Sequence, residues 1–251
     1  MNIVEAYIKF NKQLIILISG LSGSGKTTIA SFIERDFKIK HLNIDNYCKK
    51  DFEKYVEVSE GIKINDWDDI DSYDWNAFNE DVNKNKTNGL VICGSYFPTD
   101  KLKFTQDFHI HVKISKQKIF ESRHNFIKEN PEKCKELVQF LDTPTESLII
   151  NKIVYPHYLD YSQKSKIDKY INANELTIDS IYDASADFLF NKISQFLTEY
   201  NNKLIEERNS KPTVKNNSHD KSINKKKVIE DGLENYDIDE NAIYLGRTDY
   251  N

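Results

Sequence analysis

Leu14-Ile15-Ile16-Leu17-Ile18-Ser19-Gly20-Leu21-Ser22-Gly23-Ser24-Gly25-Lys26-Thr27-Thr28 decides the fold. Leu14–Ile18 is an unbroken apolar run of strand length, and Leu14–Ser19 reads as a central strand buried on both faces. Gly20 to Thr27 then matches G-x-x-x-x-G-K-[ST]. Gly25–Phe37 follows with Ile29, Phe32 and Ile33 at helical core spacing. Strand, glycine loop and helix in that order form a phosphate-binding loop. The glycines let successive N–H groups turn inward on phosphate oxygens, and the helix adds the positive end of its dipole. A glycine-rich turn that binds nothing rarely carries all three glycines together with the Lys-Thr pair. Gly20, Ser22, Gly23, Ser24, Gly25, Lys26, Thr27 and Thr28 are therefore candidate ATP-binding residues, with the Thr27 hydroxyl offered to Mg²⁺.

The same alternation of apolar runs and amphipathic stretches continues outward, the pattern of an α/β fold. Strands are expected at Lys40–Ile44, Leu90–Cys93, Phe108–Ile114 and Lys169–Asn172. Helices are expected at Tyr73–Val82, Ser115–Glu129, Asn151–Lys164 (with Pro156 near the first turn) and Asp183–Tyr200. Asp45 to Asp66 reads as a polar stretch with few apolar anchors. His109 and His111 fall on one polar strand face, expected to meet solvent, and no third ligand lies nearby to make a metal site of them.

Composition limits the partners. The chain has 251 residues, 35 Lys+Arg against 40 Asp+Glu and a net charge of -5, which disfavours nucleic-acid binding. No apolar run reaches the roughly 18–20 residues of a membrane span. Three cysteines without a CxxC spacing fit a reducing, cytoplasmic setting. Residues 1–200 read as one domain. Residues 201–251 read as a charged, disordered tail: 203–227 carry eight basic against three acidic residues, 228–251 one against seven. A segment that engages a protein partner is the alternative for that tail.

A phosphate loop leaves the acceptor open. No Asn-Lys-x-Asp motif marks a GTPase, and only Arg35, Arg123, Arg208 and Arg247 are arginine, a poor supply for a motor ATPase. A compact small-molecule kinase remains. Such an enzyme needs a carboxylate at the end of the second strand, where Asp45 stands, and a cationic lid.

Several segments resemble the nicotinamide riboside kinases, relatives of the uridine kinases. Ile18–Thr28 resembles their phosphate loop and Asp45-Asn46-Tyr47-Cys48-Lys49 their Asp-Asp-Phe-Phe/Tyr-Lys motif. Trp67-Asp68, ahead of Ser72 to Trp75, resembles their aromatic-Asp substrate pair. Leu90–Tyr96 resembles a strand end in which the family has glutamate at the position of Cys93. Val154–Tyr161 resembles a Val-Trp-Pro-x-Tyr-Leu-x-Tyr run after the lid. The resemblance covers about residues 12–200 and implies a P-loop three-layer sandwich with a five-stranded parallel sheet and a short helical lid. It implies ATP- and Mg²⁺-dependent phosphorylation of a nucleoside 5′-hydroxyl, most simply nicotinamide riboside, with uridine or cytidine the nearest alternative. It assigns Asp45 as general base and metal ligand, Trp67 as the stacking aromatic, and Asp68 as the group holding the ribose hydroxyls. Tyr47 and Cys48 would line the pocket, and Arg123, with Lys26, would spread the transition-state charge. Cys93 and a lid with Lys128, Lys133 and Lys135 but no arginine depart from the family. They raise a reading of another class, a catalytically weak nucleotide-binding module acting through its tail.

Overall fold

The structure, a computed structural model, describes residues 1–132 and 134–210. In chain order it runs α1 (Ile3–Asn11), β1 (Ile15–Ser19), α2 (Lys26–Phe37), β2 (Lys40–Asn43), β3 (Tyr55–Ser59), β4 (Ile62–Asn65), α3 (Trp75–Asn85), β5 (Leu90–Gly94), β6 (Phe108–Lys113), α4 (Lys116–Glu129), α5 (Lys135–Val138), α6 (Pro144–Ile149), α7 (Tyr155–Gln163), β7 (Lys169–Asn172) and α8 (Ile178–Ser210).

Five strands form one parallel sheet in the order β2-β5-β1-β6-β7. β1 is central and wholly buried, and its side chains alternate between the two faces. Ile16 and Ile18 join the core made with α1, α2 and α8; Ile15 and Leu17 join the core made with α3 and with Tyr161 of α7. Helices cover both faces, so the sheet is the middle of three layers. Burial on both faces is why Leu14–Ile18 is apolar throughout rather than alternating.

A third cluster sits above the phosphate loop. Leu21 of that loop, Val58 and Ile64 of the β3–β4 hairpin, Ile119 of α4, and Ile149, Ile153 and Val154 between the lid and α7 pack together. Hairpin, lid and loop thus share one apolar floor. The hairpin lies inside the stretch read as polar. Its alternation (Val56, Val58; Ile62, Ile64) is short, and Gly61, at φ +74°, makes the turn. α1 also escaped the sequence reading although its signal is present: Asn2 and Glu5 form a reciprocal capping box.

Two other expectations change. Helix is found over much of Asn151–Lys164, but Ile150–Val154 is a π turn, with the Tyr155 N–H bonded to the Ile150 carbonyl. Pro156, in the first turn of α7, has no N–H to give Lys152, so the ladder is re-spaced there. The last helix runs past residue 200 to Ser210, so 201–210 are helical; the rest of the tail, 211–251, lies outside the described residues, as does Lys133. Among the described residues no helix is long and apolar enough to cross a membrane.

The polar face of β6 is not wet. His109 and His111 are fully buried. β6 is an interior strand, and α7 covers this face. The cost of burying two imidazoles is met by a hydrogen-bond chain. His109 Nδ1 lies 2.8 Å from the Lys166 carbonyl, which can only accept. His109 Nε2 must then accept from Ser19 Oγ (2.7 Å), Ser19 Oγ accepts from His111 Nδ1 (2.7 Å), and His111 Nε2 accepts from the Tyr158 hydroxyl (2.5 Å). Ser19, the last residue before the phosphate loop, is thereby tied to α7.

Candidate active site

The loop after β1 is shaped as a cradle. Gly23 and Gly25 hold φ of +82° and +83°, open to glycine without strain. Gly25 caps α2 and provides no side chain to its first N–H groups, leaving them for an anion. The Ser24 hydroxyl is buried with no hydrogen-bond partner. A phosphate chain would satisfy both, so the residues present fit the triphosphate of ATP. α4 lies directly against this cradle: a Cβ placed on Gly23 would come within 2.0 Å of Ser122 Cβ. Gly23→Ala therefore combines a left-handed φ with an overpacked contact. It should lower stability by about 2–4 kcal/mol, and thermal melts of the variant against the parent measure it.

Asp45 lies in the short turn after β2, at the carboxyl edge of the sheet. The Asn43 side chain accepts from its N–H (3.0 Å), and the Tyr73 hydroxyl donates to Oδ1 at 3.4 Å. Burial, with Asp45 close by, holds the Tyr73 hydroxyl well above its ordinary range, so it remains a donor. Cys93, at the end of β5, sits where both halves of the site meet. Its Sγ is 3.8 Å from Thr27 Oγ1 and 3.2 Å from His41 Nε2. Burial pushes the thiol up, Lys26 and Thr27 pull it down, and Asp45 pushes it up again. Burial likewise lowers His41, which stays neutral. Thr27 and Asp45 remain the oxygen donors that could hold Mg²⁺, and oxygen donors suit that ion.

Trp67, Asp68 and Arg123, which the resemblance gives to the acceptor, line one cavity of about 300 Å³ with Ile64 of the hairpin and with Lys135 and Leu137. Arg123 Nη2 lies 3.4 Å from Asp68 Oδ2, and both side chains are largely buried. Trp67 is 40% exposed and leans on Phe52 at 5.9 Å, leaving indole surface for a flat ring. Cys48 lies near both carboxylates. Partial burial and then Asp45 and Asp68 push its thiol up to about 11, which keeps it neutral. Tyr47 is the sequence candidate that turns away. Its hydroxyl donates to Asp81 Oδ2 at 2.9 Å, and its ring packs edge-on against Phe78 of α3.

The structure also brings in residues the sequence did not single out. The Tyr96 hydroxyl donates to the Asp68 carbonyl at 2.5 Å, and Tyr161 accepts from the Ile70 N–H at 3.3 Å. Asp66 and Asp69, which bracket Trp67-Asp68, are both buried; donor atoms of Asp66, Asp69 and His157 lie within 4.8 Å of one another. Leu90–Tyr96 and Val154–Tyr161, noted for their likeness to a strand end and to a run after a lid, pointed this way, and neither revealed contact with the Trp67 loop.

No protein-family model and no curated protein matches this chain. Among solved structures, it is similar to the shikimate kinase of Bacteroides thetaiotaomicron at 17% identity and a TM-score of 0.46, over 70% of this chain and 98% of that one. It is similar to the thymidylate kinase of Candida albicans at 12% identity and a TM-score of 0.44, over 72% and 93%. Shikimate kinase of Acinetobacter baumannii with bound shikimate gives 14%, 0.44, 74% and 97%. Likeness at this level carries nothing about what this chain binds; the fold is the one its own sheet and phosphate loop define, an α/β P-loop sandwich.

Proposed function

We propose that this chain transfers the γ-phosphoryl group of ATP to the ribose 5′-hydroxyl of a nucleoside, with nicotinamide riboside as acceptor and nicotinamide mononucleotide as product. One observation carries the reading most directly: α4 serves both sides of the reaction. Ser122 abuts Gly23 of the phosphate cradle, and the next residue, Arg123, reaches Asp68 in the acceptor cavity. A helix in that position brings donor and acceptor together, which is most of what phosphoryl transfer asks of a protein.

In the proposed reaction Asp45 accepts the proton of the 5′-hydroxyl while that oxygen bonds to the γ-phosphorus. The bond from the γ-phosphorus to the bridging oxygen breaks, and ADP leaves. Lys26 and Arg123 balance charge on the transferred oxygens. When bound at Thr27 and Asp45, Mg²⁺ supplies neutralisation of phosphate charge. In this reading Asp68 accepts from the vicinal ribose hydroxyls once Arg123 is drawn to phosphate, and Trp67 supports a flat cationic ring by stacking. With ATP and Mg²⁺, ADP release should depend on acceptor. The expected kcat/KM for nicotinamide riboside is at least ~10-fold above that for uridine or cytidine, because the indole selects for ring charge. ADP release that no nucleoside stimulates would overturn the proposal.

The Cys93 thiol beside Thr27, where a carboxylate would assist a metal, favours a second reading: a module that binds nucleotide without efficient transfer. Its signature is ATP binding with no acceptor-dependent ADP.

A further inference from the structure

The loop that carries Trp67 and Asp68 is held at an unusual place. Asp66 is 2% exposed; its Oδ2 lies 2.7 Å from His157 Nε2, while its Oδ1 is buried with no hydrogen-bond partner. A buried carboxylate is costly unless compensated, and His157 is the group bonded to it. His157 lies flat on Tyr161 one turn along α7, with ring centres 5.3 Å apart and an interplanar angle of 5°. Tyr161 holds the Ile70 N–H, and it packs on Tyr96, which holds the Asp68 carbonyl. Three residues of α7 and the β5 edge thus grip the loop on both sides of Trp67-Asp68.

We propose that His157 is a positioning residue: its imidazolium, bonded to Asp66, clamps the Trp67–Asp68 loop into the geometry that receives the acceptor. The clamp rests on the phosphotransfer reading only for its effect on KM; the docking of the loop stands apart from it.

The charges around His157 favour the charged ring. Asp66, Asp69 and Asp68 face it from the loop, and Tyr161 and Asp160 belong to its own helix. Lys54, from the segment before β3, opposes it but is engaged with Asp69 at 2.5 Å. Tyr161, on which His157 lies, packs in turn on the uncharged Tyr96. The hydrogen bond to Asp66 raises His157 above its ordinary value, burial working against it. The clamp is therefore closed below that raised value and loosens as pH rises through it. On opening, Asp66 loses its bonded cation, so the loop gains reason to leave the interior.

Trp67 reports this without any assay of activity. Trp67 and Trp75 are the two tryptophans, so in a Trp75→Phe background the emission belongs to Trp67. Its emission should shift in one transition with a midpoint above about 6.5, the ordinary histidine value. His157→Gln, which keeps a donor but not the charge, should abolish the transition. In the otherwise native chain, KM for nicotinamide riboside should rise several-fold across the same range while the Kd for ATP holds. In His157→Gln that KM should sit at its high-pH value throughout. Trp67 emission flat from pH 5.5 to 9, or titrating identically in His157→Gln, overturns the clamp. Loss of the transition with EDTA also overturns it, since a divalent cation between the same donors would then be holding the loop. Absence of transfer to any acceptor, with the transition intact, fails the phosphotransfer reading and leaves the clamp standing.

Discussion

Asp45→Ala should lower kcat for phosphorylation by about 10²–10⁴-fold, the usual worth of a positioned general base. Affinity for ATP without Mg²⁺ should change little, because the cradle of Gly23, Ser24 and Gly25 belongs to a different loop. The Tyr73 hydroxyl, which donates to Asp45 Oδ1 across 3.4 Å, orients that carboxylate toward the sheet edge. Tyr73→Phe should therefore cost less than Asp45→Ala and in the same direction. Initial rates of ADP formation with saturating ATP, alongside equilibrium ATP binding, separate the two effects. Equal turnover in the parent and Asp45→Ala would remove Asp45 from the chemistry.

The second large effect is on stability. Burial pushes His109 and His111 down to about 4, with the neighbouring imidazole adding to the shift of His111. In the unfolded chain both return to about 6.5. Between these values the unfolded state binds protons that the folded state refuses. Folding stability is thus fully present above about pH 6.5 and falls as pH drops toward 4, by up to about 3 kcal/mol per imidazole. His157, raised rather than lowered, works in the opposite sense and in a higher window: its contribution grows as pH falls to about 6.5 and is constant below it. Urea unfolding at steps from pH 7.5 to 4.5 measures the slope. A flat profile across that window would show that the buried chain from Lys166 to Tyr158 accepts a proton without penalty.

The sheet and the phosphate loop were legible because each is written in contiguous residues. Leu14–Thr28 contains a strand, its turn and the start of a helix, and no distant contact is needed to recognise them. Asp45 was legible from its place after a strand. The hairpin was not, because two short alternations around Gly61 look like polar loop until Ile149, Ile153 and Val154 arrive to cover them. His109 and His111 show the same limit. Alternation reveals that two side chains share a face, and only the later covering by α7 decides whether that face is wet or dry. Arg123 was singled out for its rarity, and its pairing with Asp68 depends on where α4 settles against Gly23. Asp66 and His157 are 91 residues apart, and no local pattern links them.

The strand order bears on how the chain is made. β1 pairs with β5 and β6, not with β2, so the most apolar strand has no edge partner until Leu90 has been synthesised, and its second waits for Phe108. β2 in turn can join the sheet only through β5. Such long-range parallel pairing folds slowly and leaves unpaired edges open in the meantime. On a ribosome, Leu14–Ser19 emerges as an adhesive segment well before anything native can cover it. Chains stalled short of residue 90 should aggregate or recruit chaperones, and chains extended past β6 should do so far less.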